Sequence, residues 1–137
     1  MKRSCQIGCS LENLKKVRDF VKENLKGIAC DEACADEMVL ALDEMCSNVI
    51  IHAHQCDPTH LLELSIDSSD QDKIIFEIAD DSRQFNINDF SAPDLNDLIT
   101  EKRKGGLGIR LVKSIMSSID YYERDGRVVC RMIKKIA

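Results

Sequence analysis

Two groups of residues in this chain have the types and spacing to do chemistry. The first is the run Gly105-Gly106-Leu107-Gly108, which leads directly into an apolar helical period at Leu107, Leu111, Val112, Ile115 and Met116. Glycine lets the backbone adopt positive φ and approach a ligand closely. A helix start presents unpaired N–H groups and the positive end of the helix dipole, so the combination is a ready anion site. Lys102, Arg103 and Lys104 add cationic charge just before it. The plainer reading is a flexible hinge before a helix. Three of the chain's six glycines fall within these four residues, which weighs against that reading. The run is not a P-loop, because no Gly-Lys-Ser/Thr follows it.

The second group is Glu44 and Asn48, on a helix predicted over residues 31–54. At about 100° per residue, Val39, Leu42, Met45, Cys46 and Val49 form its core stripe. Glu37, Ala41, Glu44, Asn48 and Ile51 fall on nearly the opposite side. Residues four apart sit one above the other, so Glu44 and Asn48 are aligned. The bland reading is an exposed Glu and Asn with scattered apolar neighbours. The functional reading is a helix flanking a cleft, where Asn48 offers a neutral oxygen to a hard cation and Glu44 accepts a proton or orients water.

The elements that must position these residues are legible. Residues 2–8 read as a strand. Ser10 resembles an N-cap, with Asn13 rather than Glu or Gln three residues on. Leu11, Leu14, Val17, Phe20, Val21 and Leu25 then recur at three and four, giving a one-faced helix that Gly27 ends. The second helix begins at the acidic pair Asp31-Glu32, which suits the positive end of its dipole. Asp57-Pro58 breaks the chain. Residues 61–66 and 73–78 read as an antiparallel hairpin. From 80 to 106 there is no sustained period, and a loop this long is uncommon unless functional. A helix over 107–118 and two strands near 119–124 and 128–133 follow, the strands joined by Asp125-Gly126, a strong hairpin signal. The sum is an α+β two-layer sandwich, with helices on one face of a mixed, mostly antiparallel sheet.

The chain's 137 residues are the size of one domain. A net charge of -5 argues against a broad nucleic-acid or anionic-membrane surface. No apolar run approaches the roughly 20 residues of a membrane span, and Met1-Lys2-Arg3-Ser4-Cys5 leads into no signal-like apolar region. The seven cysteines, Cys5, Cys9, Cys30, Cys34, Cys46, Cys56 and Cys130, contain no CxxC pair. Packing as small hydrophobes is the leading reading of them, ahead of a metal or redox site. Abundant free thiols fit a reducing cytosol, so a cytoplasmic location is expected.

Taken in order, these motifs resemble the ATPase fold shared by histidine kinases and gyrase (the Bergerat or GHKL fold), and within it the small anti-sigma-factor serine kinases of bacterial partner-switching systems. Leu40-Ala41-Leu42-Asp43-Glu44-Met45-Cys46-Ser47-Asn48 is similar to the family's first motif, with His52-Ala53-His54 after it. Ile78-Ala79-Asp80-Asp81-Ser82-Arg83-Gln84-Phe85 stands where the family has Asp-x-Gly followed by Phe. Gly105-Gly106-Leu107-Gly108-Ile109-Arg110-Leu111-Val112 resembles the glycine motif after the family's lid.

The resemblance implies that residues 1–137 form a single ATP-binding kinase domain with a lid over about 86–104. It implies that Asn48 coordinates Mg²⁺ bridging the phosphates and that Glu44 is the general base toward a serine hydroxyl. Asp80 would accept a hydrogen bond from the adenine amino group, beside Ser82 and Phe85. Gly105, Gly106, Leu107, Gly108 and Ile109 would hold phosphate, with Lys104 or Arg103 nearby. Ser82 stands where the family has glycine, and Val128 where relatives often carry Asn or Thr, so the resemblance implies a more crowded and less polar adenine end. The implied activity is phosphorylation of a STAS-domain anti-anti-sigma partner, alongside binding of a sigma factor, by a homodimer. The alternative is a regulatory binding module, with or without nucleotide, that sequesters a sigma factor or activates a phosphatase.

Overall fold

Alternation at a period of two builds the sheet. The computed structural model describes residues 2–28, 30–53, 57, 59–80 and 110–136. The expected lid at 86–104 lies outside the described residues, as do Ser82, Phe85, Arg103, Lys104, Gly105, Gly106, Leu107, Gly108 and Ile109. The strands are β1 (Lys2–Gly8), β2 (Leu61–Asp67), β3 (Lys73–Asp80), β4 (Ser118–Arg124) and β5 (Arg127–Lys135). They form one sheet in the order β1-β2-β3-β5-β4. Each of the four pairings is antiparallel, so the sheet, expected to be mixed but mostly antiparallel, is antiparallel throughout the described residues. Leu62, Leu64, Ile66, Ile74, Phe76, Ile78, Cys130 and Met132 are buried on its helix side. The β4–β5 turn has Asp125 at φ 54° and Gly126 at φ 76°. Two successive positive φ values are those of a type I′ turn, whose twist matches the strands it joins.

The helical layer is α1 (Leu14–Leu25), entered by a 3₁₀ turn at Leu11–Asn13, then α2 (Glu32–Asn48), and α3 over residues 110–115. Ser10 takes the extended N-cap conformation, but its side chain makes no capping bond. Asn13 instead reaches back to donate from Nδ2 to the Gly8 carbonyl at 2.9 Å. Val17, Val21 and Leu25 of α1 are buried, whereas Leu11 is exposed. Met38, Val39, Leu42, Met45 and Cys46 of α2 are buried. Each large apolar side chain removed from water contributes about 1.5–3 kcal/mol, far more than helix propensity, so packing holds α2 in place. The last helix stops three residues short of the expected 118. Ser117 N–H donates to the Ile133 carbonyl at 2.7 Å, and Ser118 already pairs with Ile133 in β4.

The outer sheet face carries a buried charge that sequence patterning gave no reason to expect. Phe76 and Ile78 point to the helices, so Glu77 between them points away. Its side chain is 6% exposed and lies between Lys2, Arg124 and Arg131. Arg131 Nε donates to it at 2.9 Å, Arg124 Nη2 at 3.3 Å, and the Tyr122 hydroxyl also donates. Both guanidinium groups stack on the Tyr122 ring, at 5.0 and 5.6 Å. Burial pushes the carboxyl up, but the Tyr122 hydroxyl, Arg131 and Arg124 outweigh it and hold Glu77 below its ordinary 4.5. A depressed carboxyl adds stability that is present above the unfolded value and lost as pH falls through the folded one. Glu77→Gln is therefore expected to cost about 1–2 kcal/mol at neutral pH, a figure discounted because both arginines are half-exposed. The gap to wild type should close below pH 4.5. Urea unfolding at neutral pH and again in acid checks both statements.

Candidate functional site

The candidate site residues among those described lie on the C-terminal half of α2 and at the end of β3. Asp31 caps α2, its Oδ1 accepting from Cys34 N–H at 2.7 Å. One turn before the helix ends, Arg18 Nη1 of α1 pairs with Asp43 Oδ1 at 2.9 Å and ties the two helices together. The next residue, Glu44, is half-buried. Burial raises its carboxyl pKa, and the negative charge of Asp43 raises it further. Both effects make Glu44 a stronger base than a surface glutamate.

Asn48 departs furthest from the bland reading. It is 1% exposed, and its buried Nδ2 has no hydrogen-bond partner among the described residues. Buried amides are nearly always bonded, so an orphan calls for a physical reason. Asn48 is also the last α-helical residue. The segment Val49–Ala53 continues as a π-helical turn rather than the regular helix expected to 54. Such turns inside helices concentrate at functional sites. Ala41 shares this face and is fully buried, Ile51 is half-buried, and only Glu37, nearer the helix start, is exposed. The face opposite the sheet stripe is thus covered along its second half.

Asp80 closes β3 and is 6% exposed. It shares parity with Phe76 and Ile78, so it faces the helical layer. Its register partner on β5 is Val128, and directly opposed residues point to one face. Two of the positions assigned by resemblance to the adenine end are thereby cross-strand neighbours. Asp80 also acts on the Cys130 thiol, which burial chiefly, with Asp80 and Asp120, pushes up to about 12 despite an opposing hydrogen bond from Tyr121. Cys9, Cys46 and Cys130 are buried and behave as the small hydrophobes expected of them.

The structure therefore aligns Glu44 with Asn48 and sets Asp80 beside Val128. Sequence reasoning missed the Arg18–Asp43 pair that anchors Glu44. Its one legible trace was a second acidic residue adjoining Glu44.

A family model for the histidine kinase-like ATPase domain matches residues 9–134. The chain belongs to this family. No curated protein matches the sequence. Among solved structures, this histidine kinase-like ATPase domain is similar to the RsbU and RsbW domains of Rv1364c from Mycobacterium tuberculosis (TM-score 0.63, 11% identity, 99% of this chain and 32% of that one). It is similar also to the SiaB-SiaC complex from Pseudomonas aeruginosa (0.60, 12%, 98% and 89%). A third likeness is to the histidine kinase domain of a blue-light activated kinase from Erythrobacter litoralis (0.56, 14%, 94% and 61%). At these identities the likeness is one of fold. The domain spans about a third of the first of these proteins and most of the second. No helix among the described residues is long and apolar enough to cross a membrane.

Proposed function

We propose that this domain binds Mg-ATP and phosphorylates a serine of a STAS-domain partner, acting as an anti-sigma factor kinase. The observation that carries the reading is the buried Asn48, its Nδ2 without a partner among the described residues, one helical turn from a half-buried Glu44 of raised pKa. Glu44 takes the proton from the attacking serine hydroxyl. Asp80, held at the end of β3, accepts from the adenine amino group. Gly105, Gly106, Leu107, Gly108 and Ile109 bind phosphate, with Lys104 nearby and residues 86–104 as the lid of a single domain over 1–137.

The residues present fit the metal. No three His, Cys, Asp or Glu side chains among the described residues form a metal cluster, and Mg²⁺ in phosphoryl-transfer sites takes most of its ligands from phosphate and water. Asn48 would offer the ion a hard neutral oxygen, Oδ1, while its Nδ2, without a partner among the described residues, can donate to a phosphate oxygen. When bound, the ion neutralises charge on the phosphates. The assembly named for one structural neighbour, SiaB with SiaC, supports a domain of this shape working on a protein partner.

Purified domain, Mg-ATP and a STAS-domain protein should yield phosphoserine on the latter; no transfer with a partner shown to bind would sink the reading. The pH profile carries a further prediction. Arg18→Gln frees the charge of Asp43, so Glu44 rises further and the acidic limb of kcat moves to higher pH. An unmoved limb would show that Asp43 does not tune the base.

A second reading rests on Val128, which places an aliphatic side chain directly opposite Asp80. In it the domain sequesters a sigma factor, or activates a phosphatase, without transferring phosphate. Calorimetry separates the two, since no heat with millimolar Mg-ATP would favour the second.

A further inference from the structure

Two cysteines outside this site meet at the start of α2. Cys30 directly precedes the N-cap Asp31, and Cys34 lies in the first turn. Their thiols lie near enough to act on each other electrostatically. Both backbones are fixed: Cys30 N–H donates to the Ile28 carbonyl at 2.8 Å, and Cys34 N–H to Asp31 Oδ1 at 2.7 Å. Both residues are partly exposed, whereas Cys9, Cys46 and Cys130 are buried. No third ligand joins the pair to make a metal cluster among the described residues. Proximity of the two thiols, a preordered backbone and access to solvent favour intramolecular thiol–disulfide exchange.

We propose that Cys30 and Cys34 form a reversible dithiol–disulfide site that exchanges with small-molecule disulfides. One thiolate of the pair attacks a sulfur of the oxidant RSSR, forming a mixed disulfide and releasing RS⁻. The second thiolate attacks the protein sulfur of that mixed disulfide and releases the other RS⁻. The two cysteine protons end on two molecules of RSH, the protein is oxidised by two electrons, and RSSR is reduced. The new bond closes the span from Cys30 through Asp31, Glu32 and Ala33 to Cys34, and so pins the first turn of the helix that carries Glu44 and Asn48. Burial of Cys30 and the neighbouring Cys34 raise the Cys30 thiol, so exchange accelerates as pH rises.

The test uses the full native chain and oxidised glutathione, followed by alkylation of remaining thiols under denaturing conditions and peptide mapping. The expected product has lost two hydrogens, leaves five of the seven cysteines alkylatable, and joins Cys30 to Cys34; dithiothreitol restores all seven. Cys30→Ser and Cys34→Ser should each instead retain glutathione on the remaining partner, because nothing resolves the mixed disulfide. Recovery of Cys30 and Cys34 as free thiols while Cys5 or Cys46 is oxidised would overturn the proposal. So would two stable glutathione adducts on the wild-type pair.

Discussion

Replacing Glu44 with Gln is expected to lower kcat for phosphoryl transfer by about 10²–10⁴-fold, the usual contribution of a positioned base, while leaving nucleotide affinity nearly unchanged. Gln has the same shape and keeps a hydrogen-bonding carbonyl, but it cannot take a proton at neutral pH. The setting of Glu44 sharpens the expectation. Burial and Asp43 raise its carboxyl, so the ionised form is disfavoured in the fold. A carboxyl whose folded pKa is raised supplies stability below its unfolded value and loses it as pH rises through the folded one. Near neutrality the charge is therefore a strain on the domain, and Glu44→Gln should melt slightly higher than wild type. Single-turnover transfer to the partner, nucleotide titration and a melt make three independent readouts. A variant that transfers at the wild-type rate removes Glu44 from the chemistry. One that loses nucleotide affinity makes it a binding group instead.

The fold was legible because its signals are local. The period of two over β1 and the β2–β3 pair, and the three-and-four spacing through Val17, Val21 and Leu25, each read from a few adjacent residues, and Asp125-Gly126 specifies its own turn. What was not legible depends on strands distant in sequence. Nothing near Glu77 in the chain announces Arg131, which is brought opposite it only by the β3–β5 register. The same holds for Arg18 and Asp43, paired by helix packing rather than by spacing. The site divides along the same line. The alignment of Glu44 with Asn48 follows from helical geometry alone. That Asn48 would be buried with its Nδ2 unpaired among the described residues does not, because the face it shares with Glu37 and Glu44 reads as half-polar, and tertiary packing decides its burial. The end of α2 shows the same limit: apolar residues at Val49, Ile50 and Ile51 predict helix, but no residue type distinguishes an α turn from the π turn that forms there.

The burial of Asn48 leads to the second large expected effect, in which stability and function move in opposite directions. Leu has nearly the shape of Asn, so Asn48→Leu fills the same space without a cavity or a clash. It removes a buried donor that has no partner among the described residues, and an unsatisfied polar group costs about 1–3 kcal/mol. The nucleotide-free variant should therefore be more stable than wild type by about 1–2 kcal/mol. In the presence of Mg-ATP the order reverses. A ligand at a hundredfold its Kd stabilises the protein that binds it by about 2.7 kcal/mol, and a variant without the amide oxygen forfeits that gain. Denaturant unfolding with and without Mg-ATP measures both arms in one experiment. A variant damaged in its fold would fall in both arms. A residue serving only as part of the core would give the same ligand-induced gain as wild type. Only a polar group kept at the expense of the empty domain's stability, for the sake of what it holds, gives a rise in the first arm and a loss in the second.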